Sequence, residues 1–181
     1  HIADVRTEHG LVIEFQHSHI TPEERIAREK FYKNMVWIVD GTRLQRDYPR
    51  FIKGRKDFRK TPNEWIFEVD FPDECFPKSW LESSVPVIFD FLGCELYDSD
   101  NPMRRRLHCL FPGRLRYEAV VATISRKAFI NAALDGKWSG RVNAFMIDME
   151  KKSKEIKERM ALEQRRMTVY YNLRRIRRRR F

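Results

Sequence analysis

Cysteine is scarce: Cys75, Cys94 and Cys109 are the only three in the chain. Their number is odd and no two form a CxxC pair, so neither a disulfide framework nor a zinc-ligand set is expected. Scarce thiols of this kind suit a reducing, cytoplasmic setting. No run of eighteen apolar residues occurs, so no segment is expected to span a membrane. No signal peptide, internal repeat or Ser/Gly-rich linker interrupts the chain. Negative charge is also in short supply. Asp and Glu number 26 against 36 Lys and Arg, giving a net charge of +10 and a pI near 9.7. Such a balance suits a polyanionic partner, most simply nucleic acid, although many basic proteins bind none. Apolar residues are not lacking: they make up 42% of the 181 residues, with thirteen Phe and four Trp. That supplies the core of one ordinary domain, with room for a small appendage.

The first forty residues read as a β-β-α-β unit. "IADV" (2–5) is a short strand, Gly10 suits a turn, and "LVIEFQH" (11–17) is a second strand, so the two should form a hairpin. Alternation puts Leu11, Ile13, Phe15 and His17 on one face and Val12, Glu14, Gln16 and Ser18 on the other. Thr21, Pro22 and Glu24 spell a helix start, with Ala27, Phe31 and Met35 as its apolar stripe, running to about Asn34. "MVWIVDG" (35–41) is apolar on both faces, as expected inside a sheet. Further strands are expected in "EWIFEVDF", "SVPVIFDF" and "RLRYEAVVATI". Ser125 should cap a helix closed by Gly136. From Asn143 onward, apolar residues at helical spacing predict a long charged helix ending in "RRIRRRRF".

The chemistry concentrates on the hairpin. If Asp4 pairs near Glu14, two carboxylates share one face and repel unless a cation sits between them. Mg²⁺ is bound in phosphate-processing sites by one or two carboxylates, waters and phosphate oxygens. Gln16, two residues on, could orient an attacking water or touch phosphate. D-x9-E-x-Q therefore allows metal-assisted phosphodiester cleavage. The alternative is a pair of solvated acids on the open face of a sheet.

"HIADV", "VIEFQHSHI", "PEER" and "FYKNMVWIVDGTR" together resemble the competence protein CoiA-like nuclease family, within the PD-(D/E)xK nuclease superfamily. The similarity is dense over residues 1–43 and weaker in "LHCLFPGR" and "ISRKAFI". The resemblance implies an α/β fold: a restriction-endonuclease-like core, a mixed sheet flanked by helices, in residues 1–60. An α/β extension (61–142) and a long basic C-terminal helix (143–181) would follow. It places a helix and a strand of the core upstream of His1. It implies Mg²⁺, with Mn²⁺ an alternative, held by Asp4 and Glu14. Asp4, Glu14 and Gln16 would be catalytic in cleavage of DNA, for DNA processing or anti-phage defence. Gln16 stands where most of the superfamily has lysine, which leaves the cationic role open and favours, as the alternative, a degenerate module that binds nucleic acid or a partner protein without cutting.

Other residues are weighed on the same basis. Arg25 and Arg28 lie on the helix after the hairpin, where either could replace the absent lysine or touch nucleic acid; Arg28 could instead pair with Glu24. Residues 43–60 hold eight Lys or Arg and two acids, with Tyr48, Phe51 and Phe58 interleaved. Arg43, Arg46, Lys53, Arg55 and Lys56 are the phosphate candidates there, on a helix expected to break at Pro49 and Gly54. His1 and Ser18 are possible accessories. His17 should face away from Glu14, and His1, His17 and His19 match no zinc spacing. The C-terminal helix is a candidate for oligomer or partner contact.

Overall fold

The computed structural model describes residues 2–92 and 102–178, with side chains to residue 171 in the last helix. His1, Cys94 and the final arginines Arg179 and Arg180 lie outside the described residues. The expected hairpin is present in shortened form. β1 (Val5–Arg6) pairs antiparallel with β2 (Val12–Gln16), with Val5 opposite Ile13. Gly10 turns the chain at φ 77°, a value a Cβ would disfavour. α1 (Pro22–Tyr32) carries the chain to β3 (Met35–Asp40), which runs parallel to β2. Thr21 caps α1 by accepting the Glu24 N–H at 3.2 Å, a contact that stabilises such a helix by about 1 kcal/mol.

α2 (Asp47–Arg55) is one helix, although Pro49 and Gly54 predicted a break. Pro49 falls in the first turn, where no intrahelical partner for an N–H exists anyway. Gly54 stands against a later part of the chain: a Cβ built there would lie 2.2 Å from the Cys75 Sγ. β4 (Arg59–Lys60), β5 (Ile66–Val69), α3 (Pro72–Cys75) and α4 (Lys78–Leu81) follow, then β6 (Val87–Asp90), parallel to β3. α5 (Pro102–Arg105) leads into β7 (Arg106–Leu110) and β8 (Ala119–Ser125). α6 (Arg126–Leu134) is capped by Ser125, and α7 (Lys137–Arg178) begins six residues earlier than Asn143.

All eight strands join one mixed sheet in the order β1-β2-β3-β6-β7-β8-β5-β4. The residues grouped as core (1–60) and extension (61–142) thus share a single sheet, joined where β3 meets β6 and where β4 meets β5. Helices cover both faces, which makes an α/β fold of three layers. On one face Val12, Trp37, Val39, Val87 and Phe89 pack with Phe51, Phe58, Phe76 and Trp80. On the other, Ile13, Val36, Ile38 and Ile88 pack with Phe129, Trp138 and Met149. The alternation read for β2 therefore holds, with Glu14 on the first face, under α1.

α1 does not bury the stripe its sequence suggested. Phe31 is 60% and Ile26 41% exposed, while Arg25, Glu29 and Tyr32 face the sheet. Glu29 explains the rotation. Its Oε1 accepts from Arg25 Nη1 (2.8 Å), Trp37 Nε1 (3.1 Å) and Ser83 Oγ (2.8 Å). Its Oε2 accepts from Ser84 N (3.0 Å) and Oγ (2.8 Å). Five donors can hold a carboxylate inside a protein where an unpaired one would be expelled.

Candidate active site

Glu14 sits mid-strand in β2, beside Trp37 of β3, and is 1% exposed. α1 passes over it and lowers Arg28 onto it. Arg28 Nη1 donates to Glu14 Oε2 at 2.7 Å, and Nη2 donates to Glu24 Oε1 at 2.6 Å. Arg28 thus makes the expected pair within its helix and also reaches Glu14. Burial works against the charged guanidinium, but the hydrogen bonds it donates to Glu24 and Glu14 outweigh it and raise the Arg28 pKa above its ordinary value. The other oxygen of Glu14, Oε1, is buried with no hydrogen-bond partner. A buried carboxylate oxygen left unpaired carries a desolvation cost of about 1–3 kcal/mol or more.

Asp4 lies one residue outside the β1 ladder. Continued by one step, the register would set it opposite Glu14, but the chain bends at Asp4. It is exposed, and its Oδ2 accepts the Phe15 N–H at 2.8 Å. Thr7 N donates to Leu11 O in the same ladder, so the Phe15 N–H points to the β1 side; the Asp4 side chain takes the bond that a longer β1 backbone would have made. This anchors Asp4 at the strand end while a carboxylate still has lone pairs to offer.

Gln16 closes β2 on the same face as Glu14. Its Nε2 donates to Ser18 O at 2.8 Å and to Ser18 Oγ at 3.2 Å. The amide is thereby turned so that its carbonyl oxygen is the free acceptor. Ser18 acts on the site through this contact. His17 points the other way, as alternation required, with Nδ1 3.6 Å from Asp40 Oδ2. Asp40 is further held by Thr42 N (2.9 Å) and Oγ1 (2.6 Å). Burial would raise its pKa, but the Thr42 and His17 contacts prevail and lower it.

The basic residues divide. Arg25 is 2% exposed and committed to Glu29 and to the Glu82 carbonyl, so the phosphate role considered for it is not one its position offers. Arg43 and Arg46 are exposed in the loop after β3, which leaves the sheet at the same end as Gln16 because β2 and β3 are parallel. With Arg50 they surround Asp47. Lys53 and Lys56 are exposed on α2 and just after it. Arg55 is half-buried over the rings of Phe67 (4.0 Å) and Phe58 (4.9 Å), and burial lowers its pKa. His1 lies outside the described residues. Sequence reasoning missed Glu29 as the organiser of α1; its only signal was the four-residue spacing from Arg25.

Among the described residues no group of three or more His, Cys, Asp or Glu side chains is arranged around a metal-sized site. The donor set here is two carboxylates, which suits a hard cation that keeps waters and phosphate oxygens as its remaining ligands. The orphaned Glu14 oxygen fits such an ion.

Residues 2–67 match the family model of the competence protein CoiA, nuclease-like domain. The match runs from β1 to the start of β5 and supports nuclease-type action on nucleic acid. No curated protein and no solved structure matches the chain significantly. No helix among the described residues is long and apolar enough to cross a membrane.

Proposed function

We propose that the chain is a metal-dependent nuclease that hydrolyses DNA phosphodiester bonds, with Asp4 and Glu14 holding Mg²⁺ or Mn²⁺. The observation that carries this reading is the buried Oε1 of Glu14, which accepts no hydrogen bond, with Asp4 tied to the adjacent residue through the Phe15 N–H. When bound, the metal supplies a Lewis acid for phosphate oxygens and a water of lowered pKa. Gln16, its amide hydrogens held by Ser18, presents a carbonyl that accepts a hydrogen bond from the attacking water and fixes its direction. Arg28 supplies the cation that the glutamine at the lysine position cannot. It pairs with Glu14 and would offset charge that develops on the phosphate. Arg43 and Arg46 bring the DNA backbone to this end of the sheet. A cytoplasmic role in DNA processing or anti-phage defence is consistent with this chemistry.

The test is cleavage of linear and circular duplex DNA by the full chain. Mg²⁺ or Mn²⁺ should permit it, chelator should stop it, and Asp4→Ala or Glu14→Gln should each lower the rate about 10²–10³-fold or more, the loss of several kcal/mol of metal-derived stabilisation. One observation favours a second reading, a module that binds without cutting: Arg28 already occupies one oxygen of Glu14. Salt-dependent DNA binding with no cleavage under either metal would select it.

A further inference from the structure

We infer that the outer half of α7 is a second nucleic-acid contact, an arm that grips the phosphate backbone away from the Asp4–Glu14 site. α7 has two parts. Trp138, Val142, Phe145, Met146 and Met149 pack on the sheet. Past Ile156 every described side chain is exposed, so from residue 157 to Arg178 the helix projects about 33 Å at 1.5 Å per residue.

The charge changes along this projection. Residues 150–163 are nearly balanced, with five Lys or Arg against four Glu, and Lys154 pairs with Glu158 four residues on. Residues 164–178 hold six arginines and no acid. A helix dipole favours cations in its last turn only, whereas Arg165 and Arg166 lie more than three turns from the end. Like charges four residues apart, as at Arg174 and Arg178, destabilise a lone helix. Such a segment gains from a polyanion that neutralises it.

The charge pattern argues against a second copy as the occupant. An apolar line of Ile156, Met160, Met167 and Tyr171 runs down the helix, but at helical spacing Arg174 and Arg178 continue the same line. The positions flanking it (Lys152, Lys157, Arg159 and Arg166) are basic, so two such helices would repel along a shared seam. Exposed Tyr170 and Tyr171 add ring faces that can stack on bases.

The inference rests on nucleic acid as the partner, not on cleavage, so it is tested in chelator. Binding of the full chain to a duplex of about 30 base pairs is measured by anisotropy across a salt series, for the wild type and for a variant carrying Arg165→Gln, Arg166→Gln, Arg174→Gln and Arg175→Gln. The log–log salt slope should shallow by about 2–4, at roughly 0.9 per lost phosphate contact, with the near-ultraviolet spectrum of the buried Trp residues unchanged. An Arg43→Gln, Arg46→Gln variant should shallow it separately. An unchanged slope and affinity in the four-fold arm variant would overturn the inference. So would a chain that sediments as a dimer and becomes monomeric on Met160→Glu and Met167→Glu. A chain that binds through the arm yet cuts under no metal would sink only the nuclease reading.

Discussion

Arg28 makes the site's electrostatics depend on one side chain. With Arg28→Met the Glu14 carboxylate keeps its burial and loses its cation, which should cost about 1–3 kcal/mol in chemical denaturation. Adding Glu14→Gln should restore part of that loss, because the buried charge is gone as well; an additive double mutant would deny the coupling. Glu29 should show in acid. Burial pushes its pKa up, but the Ser84, Arg25 and Ser83 hydrogen bonds win and hold it below the usual 4.5. A depressed folded-state pKa contributes stability above the unfolded value and loses it as pH falls through the folded one. Stability of the wild type should therefore fall more steeply below about pH 4.5 than that of Glu29→Gln, measured as denaturation midpoints over a pH series. The shared face of Glu14 and Gln16 could be read from the sequence because alternation in a strand assigns faces. The roles of Arg25 and Arg28 could not, because residues three apart on a helix share a side, and only the rotation of α1 decides which one reaches Glu14.

Elements were legible where local rules are strong. The hairpin turn, the Thr21 and Ser125 caps and the fully apolar β3 all follow from residue type and spacing alone. Three features escaped for identifiable reasons. β7 holds Arg106 and His108, which break the apolar pattern; His108 is fully buried against Phe51 at 4.4 Å and beside Thr123, a tertiary solution no periodicity shows. α1 buries charge and exposes Phe31, the reverse of an amphipathic expectation. α2 runs through Pro49 and Gly54, whose helix-breaking reputation depends on position. Gly54 is the clearest of these to test. Gly54→Ala would press a methyl onto Cys75 and should destabilise the chain by about 1–3 kcal/mol. Cys75→Ala in the same chain should recover part of that cost; no recovery would place the strain elsewhere.

On the scale of the whole molecule, the sheet separates two tasks. One face carries the site acid under α1; the other seats the base of α7 and sends its basic half outward. Arg43 and Arg46 beyond the end of β3 and the arginines of α7 distribute the excess positive charge over two surfaces. The central claim is narrower: Asp4 and Glu14 hold one divalent ion between them. Titration calorimetry of Mn²⁺ into the full chain without DNA, for the wild type, Asp4→Ala and Glu14→Gln, tests it without recourse to activity. The account predicts one site per chain in the wild type and its loss in both variants. Binding that persists undiminished in both, or a wild type that takes up no ion, would contradict it.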